Sequence, residues 1–261
     1  MMNLQKIFWL YKQNTTAKKI IYTSVFGGFD QLHEVQNPNK DIDYICFTDS
    51  KDLVSRTWKI IECELGSDDF RKCAKIFKVF PHEFFPNAQS SLWVDGNYII
   101  KKNHSCFLEK YLNNSSIKFF RHSARECIFD EGDYLEENKP EFDSSIIKTQ
   151  LLNYLNQGMP RKNGLINGAI ILRNNHNEEV KKLMRDWWEE IDNHSIRDQL
   201  SFNYICWKNQ YKLEYFQEEI IDFKYFQFMQ HGSKINYLFL LNIKIFIKKT
   251  TKKIYQYVKN N

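Results

Sequence analysis

The sequence predicts an α/β fold, a mostly parallel sheet flanked by helices, and three observations predict it. Short apolar runs of strand length alternate with stretches whose apolar residues repeat at helical spacing, which argues for an α/β sheet and against a β-sandwich. Several runs stop at a carboxylate or a glycine turn, as buried strands do at the rim of a sheet. No internal repeat or low-complexity linker interrupts the series, so 261 residues read as one large domain with short appendages.

Residues 1–18 read as a short leader helix or arm. Lys19 to Val25 is rich in β-branched residues and reads as a first buried strand, closed by the turn Phe26-Gly27-Gly28-Phe29-Asp30. Asp43 to Asp49 repeats the pattern and ends in a carboxylate, and Trp58 to Glu62 is a third strand. From Asp69 to Phe80 the spacing is helical, with Arg71, Lys75 and Lys78 on one face and prolines 81 and 86 closing the region. Ser91-Leu92-Trp93-Val94 is a buried strand that runs into Asp95-Gly96-Asn97. A helix over 102–112, a strand at 117–120 and a polar, acidic loop or helix start over 130–143 follow. Ser144 to Asn156 reads as helix, Gly164 to Arg173 as a turn entering a buried strand, and 178–191 and 197–207 as two more helices.

Composition narrows the function. Apolar residues make up 43% of the chain, enough for a core without disulfides. Lys and Arg exceed Asp and Glu by 37 to 32, a mild excess that suits an anionic ligand and falls short of a nucleic-acid binder. The six cysteines form no CxxC pair, which argues against structural zinc and for reduced core thiols in a cytoplasmic protein. No signal peptide is evident.

The candidate chemistry lies at strand and helix ends. Asp95 and Asn97 would bring two hard oxygen ligands to the edge of a central strand, where open α/β sheets bind ligands; the same Asp-Gly-Asn also reads as a plain turn. Asp49 reads as a ribose or base contact, or as a turn cap. The face of Arg71, Lys75 and Lys78 suits pyrophosphate or a sugar carboxylate, and equally a solvated helix face. Asn167-Gly168-Ala169 would let a substrate approach the backbone, or form a tight turn. Asp198, between Arg197 and Gln199, reads as a base, an acceptor contact or part of a helix cap. His231 is a candidate third metal ligand, and Trp187-Trp188 reads as core packing.

The order of these motifs carries a resemblance. Ile21 to Gly27, Phe47-Thr48-Asp49, Arg71-Lys72-Cys73-Ala74-Lys75, Pro81-His82 and Leu92 to Asn97 come first. His122, Arg125, Asp130-Glu131, Asn167 to Ile170, Trp187-Trp188 and Arg197 to Phe202 complete the series. It resembles, over roughly residues 19 to 210, a glycosyltransferase-like family long catalogued as a domain of unknown function, with plant cell-wall and bacterial surface-polysaccharide members. The resemblance implies a GT-A-type α/β/α sandwich that binds a nucleotide. Asp95 and Asn97 are similar in place to a DxD-type metal motif for Mn²⁺ or Mg²⁺, with an amide where the second carboxylate would stand. His231 is similar to a late histidine that completes the metal shell. Thr23, Ser24, Val25, Phe26, Asp49, Arg71, Lys75, Asp95 and Gly96 would line the nucleotide-sugar, a UDP-sugar first among donors. Asn167, Gly168, Arg197 and Gln199 would meet the sugar or acceptor, with Asp198 and Arg71 as the catalytic pair.

These expectations define a metal-dependent glycosyltransferase acting on a glycan or lipid-linked glycan, with domain limits of 19–232. The runner-up is a non-catalytic nucleotide- or glycan-binding protein of the same fold. In the basic amphipathic tail, 233–261, the apolar run from Ile235 to Ile247 is too short to span a bilayer, which takes ~20 residues, and the tail reads as a peripheral contact with the inner face of the cell membrane.

Overall fold

A computed structural model describes residues 2–111, 116–222 and 224–230. His231 and the tail from 233 lie outside the described residues. The strands are β1 (Lys19–Val25), β2 (Ile42–Thr48), β3 (Lys59–Glu62), β4 (Ser90–Val94), β5 (Tyr98–Ile100), β6 (Ile117–Arg121), β7 (Ile166–Asn174), β8 (Glu214–Tyr215) and β9 (Phe226–Phe228). The helices are α1 (Leu4–Tyr11), α2 (Phe70–Val79), α3 (Pro81–Phe84), α4 (His104–Tyr111), α5 (Ile128–Asn138), α6 (Ser144–Asn156), α7 (Glu178–Asn193) and α8 (Gln199–Lys208).

Seven strands form the main sheet in the order β3-β2-β1-β4-β7-β6-β8. Strand β7 runs antiparallel to both its neighbours, while β1, β2, β3 and β4 are parallel to one another. The predicted mixed, mostly parallel sheet is therefore the one found. Strands β5 and β9 make a small antiparallel sheet that the sequence reading did not contain.

Alternation along β1 builds the two layers. Ile20, Tyr22 and Phe26 belong to the apolar layer shared with α2, and Ile21 and Val25 to the layer shared with α4. Asp69 starts α2 by accepting a 2.9 Å bond from the Lys72 amide, and Pro81 follows its end. Phe77 of α2 stacks on Phe47 at 4.2 Å and on Phe26 at 5.6 Å. Burying such a ring stabilises by about 1.5–3 kcal/mol, so this cluster fixes α2 on the sheet. The leader segment is not a loose arm, since Phe8 of α1 packs edge-on against Phe80 and Phe84.

The acidic stretch expected as a loop or helix start over 130–143 is mostly the helix α5. Cys127 caps it, and one face is buried through Ile128, Phe129, Glu131 and Leu135. Its charges gave it the look of a loop, but Ile128, Phe129 and Leu135 keep helical spacing.

Candidate active site

The chain moves outward from β1 to β2 and β3, then crosses to the other side of β1 with β4. At such a reversal the connections after two neighbouring strands diverge and leave a crevice at their carboxyl ends. A cavity of about 590 Å³ opens there, between the end of β1 (Ser24, Phe26), the turn after β4 (Asp95, Gly96, Asn97), α2 (Arg71, Lys75, Lys78) and the segment entering α8 (Arg197, Asp198, Gln199). Because β7 is antiparallel, its first residues, Asn167 and Gly168, reach the same rim. The bond from Asp95 N to Ala169 O, 2.8 Å, ties the turn after β4 to the start of β7.

Four charged side chains form the floor. Lys78 Nζ lies 2.7 Å from Asp198 Oδ2 and 3.4 Å from Asp95 Oδ1, and Lys75 Nζ lies 3.0 Å from Asp198 Oδ2. Burial alone would raise the Asp198 carboxyl, but the two ammonium groups hold it far below the usual carboxylate range. Burial draws Lys75 below its ordinary value, against the pull of Asp198. Lys78 also suffers burial, yet Asp198 and Asp95 together hold it above. Gly168 gives the cluster its room, since a Cβ would sit 3.3 Å from Lys78 Nζ and 3.5 Å from Asp198 Oδ2. The backbone of Asp198 is fixed as well: its carbonyl accepts a 3.0 Å bond from Trp187 Nε1, and Gln199 Nε2 donates 2.8 Å to Ile166 O. Trp187 is thus buried packing, as the sequence suggests, with a polar edge that serves the site.

The opposite wall comes from α5 and the segment before α8. Glu131 is fully buried and accepts Arg197 through Nε and Nη2, at 2.9 and 2.8 Å, and Arg125 through Nε. His122 lies 3.0 Å from Arg125 Nη2, and burial with the nearby guanidinium lowers it to about 4. At the mouth, Arg71 lies between the rings of Phe29 and Phe142, 5.6 and 5.3 Å away.

Most of the expected residues therefore meet in one place: Ser24, Phe26, Arg71, Lys75, Asp95, Gly96, Asn97, Asn167, Gly168, Arg197, Asp198 and Gln199. Three do not. Thr23 and Val25 alternate to the other face of β1, away from α2 and the cavity. Asp49 binds the Gly27 amide through both oxygens, at 3.1 and 3.0 Å, and is absent from the cavity wall; it holds the turn after β1. Gly27 itself has φ 63°, so the turn needs that support and that residue. Asp49→Ala is accordingly expected to lower stability by about 1 kcal/mol in thermal melts, while nucleotide affinity of the folded protein stays within about twofold. Arg71 lines the cavity but stands at its mouth on two rings, away from the buried charges.

The site also contains residues to which the sequence assigned no role in it: Trp93, Asp30, Tyr98, Tyr134 and Phe142. Trp93 had a signal, because two residues before Asp95 on a strand is the same face. Its indole N–H donates 2.6 Å to Asp95 Oδ1. Asp30 meets the motif across Gly96, where an added Cβ would be 3.3 Å from its Oδ2.

The donor set fits a divalent cation of the Mg²⁺ type, which is commonly held by one or two carboxylates together with substrate phosphates. Asp95 is oriented by Trp93, as metal-bound carboxylates usually are by a supporting hydrogen bond, and its side chain is 34% exposed. Asn97, whose side chain carries an amide oxygen, lines the same cavity. Among the described residues no three His, Cys, Asp or Glu side chains gather into a group that could hold a metal. No helix of the described residues is long and apolar enough to cross a membrane.

A model of the TOD1/MUCI70 glycosyltransferase-like domain matches residues 10–231. The chain is 26% identical over 217 residues to a protein of Arabidopsis thaliana described as probable hexosyltransferase MUCI70, a match covering 71% of this chain and 36% of that protein. It thus spans about a third of its relative's length. Among solved structures it is similar to the WbbM bifunctional glycosyltransferase, with a TM-score of 0.45 and 13% identity over 78% of this chain and 40% of that one. It is also similar to the galactosyltransferase LgtC (TM-score 0.41, 12% identity, 76% and 72% of the two chains). Mouse xyloside xylosyltransferase 1 gives a TM-score of 0.41 at 11% identity, over 77% and 84%.

Proposed function

The chain belongs to the TOD1/MUCI70 glycosyltransferase-like family, and we propose that it transfers a sugar, a hexose first, from a nucleotide-sugar to a glycan acceptor. One observation carries this reading: two lysines and two aspartates are clustered in the crevice where the strand order reverses. A diphosphate entering there meets Lys75 and Lys78, which take up charge as the nucleoside diphosphate departs. Mn²⁺ or Mg²⁺, held by Asp95 and Asn97, would add Lewis-acid charge to the same phosphates. The narrow wall of Asn167, Gly168, Arg197 and Gln199 receives the acceptor.

Asp198 is not a base in this scheme. A carboxylate 3% exposed and bound by two ammonium groups has almost no proton affinity at neutral pH. Its part is to hold Lys75 and Lys78 in place. The acceptor hydroxyl then gives its proton to an oxygen of the departing diphosphate. The bond from C1 to the phosphate oxygen breaks as the bond from acceptor oxygen to C1 forms on the same face, so configuration is retained.

The setting we propose is surface-polysaccharide synthesis at the inner face of a membrane, with the lysines at 248, 249, 252 and 253 toward anionic lipid. The test of the activity is turnover of a panel of UDP-, GDP- and CDP-sugars with Mn²⁺, with the anomer of the released or transferred sugar read by NMR. An α-linked donor should give α-product. No turnover of any donor would overturn the activity, and a β-product would overturn the same-face transfer with the departing diphosphate taking the proton.

A further inference from the structure

Taking the cavity as the transfer site just proposed, we infer that Glu131 is a positioning residue that sets the acceptor wall. In the sequence it stands only as half of the Asp130-Glu131 pair of the motif series, with no role of its own, in an acidic stretch beside Asp133, Glu136 and Glu137. Yet it alone of that group is fully buried, and its two oxygens are divided between two arginines from different segments.

Each arginine leads to the cavity. Arg197 gives Nε and Nη2 to one Glu131 oxygen, which leaves its third nitrogen, Nη1, available to the cavity that Arg197 lines. It also directly precedes Asp198, whose carboxylate holds the two lysines. Arg125 takes the other oxygen and lies 4.0 Å under the ring of Tyr134, a cavity residue one turn along α5. His122, also on the wall, bonds the far side of Arg125 and accepts the Arg125 amide at 3.1 Å.

One buried carboxylate therefore fixes the direction of a guanidinium and of an aromatic ring on the acceptor side, while not lining the cavity itself. A fork held at two points has a single orientation, and a lone charge would not define one. Lys75, Lys78 and Asp95 on the donor side make no contact with Glu131, so loss of Glu131 separates the two halves of the reaction.

The experiment follows donor hydrolysis and transfer to acceptor in parallel, using a donor the wild type turns over. Glu131→Gln keeps the shape and removes the charge. Transfer should fall by about 30-fold or more, chiefly through acceptor KM, while donor KM and hydrolysis change by less than about threefold. Glu131→Asp should restore part of the transfer. Arg197→Lys, which keeps charge and loses the fork, should show the same split and serves if Glu131→Gln does not fold. Combining it with Glu131→Gln should add little, because both break one link. Transfer and hydrolysis that stay unchanged, or fall together, would overturn the role of Glu131. A wild type that neither hydrolyses nor transfers overturns the proposed activity, and the role of Glu131 with it.

Discussion

Lys78→Met is expected to stop transfer and weaken the fold together. The ammonium is 6% exposed, and it is the only group of the four that touches both Asp198 and Asp95. Methionine fills a similar volume, so packing against Trp93, whose ring lies 5.7 Å from Nζ, is largely kept. What is lost is a charge between two carboxylates, one of them deeply buried. Removing one member of a buried ion pair typically costs about 3–5 kcal/mol, since its partner is left uncompensated. Here Lys75 still faces Asp198, so the lower end of that range is expected. A fixed donor aimed at a leaving group is worth roughly a factor of 10²–10³ in rate. Denaturant melts and donor turnover on the same preparation check both effects. A folded Lys78→Met enzyme within about threefold of wild type would remove Lys78 from the chemistry.

Asp198→Asn is expected to reduce turnover about as severely, and its acid limb separates holding from base catalysis. The amide cannot hold two ammonium groups, and both lysines become mobile. In the wild type the Asp198 carboxyl is depressed when folded, through Lys75 and Lys78 and against the effect of burial. A depressed carboxyl contributes stability that is fully present above its unfolded pKa, about 3.9, and lost as pH falls toward the folded value. The stability gap between wild type and Asp198→Asn should therefore be level from pH 7 to about 5 and close steadily below about 4. In turnover, residual Asp198→Asn activity should keep the wild-type pH profile above pH 5 and yield the same anomer as the wild type. A wild-type acid limb above pH 5 that vanishes with the substitution would show Asp198 titrating as a base.

The sheet was readable because its strands are apolar on both faces and stop abruptly. Runs such as Ile42 to Thr48 need no knowledge of their neighbours. The site was readable where a motif sits on an element end, as with Asp95 and Asp198, or where helical spacing aligns charges, as with Lys75 and Lys78. What misled was direction. Thr23, Val25 and Ser24 look alike as a strand end, and the layer that α2 covers decides which of them meets the cavity. Asp49 satisfied the rule for a nucleotide carboxylate, but a glycine amide in the next turn takes both its oxygens. The part played by Glu131, quoted only within the Asp130-Glu131 pair, was hidden because burial of a carboxylate depends on two arginines, Arg125 and Arg197, one six residues away and the other 66. The strand pair β5 and β9 joins segments more than a hundred residues apart, and three-residue runs carry no period.

If the lysine–aspartate floor receives the diphosphate, a crystal soaked with UDP and MnCl₂ will show diphosphate density against Lys75 and Lys78. A metal peak is expected beside Asp95. A diphosphate bound elsewhere, or lysines that stay on Asp198 with the cavity holding only solvent at saturating nucleotide, would contradict that role of the floor.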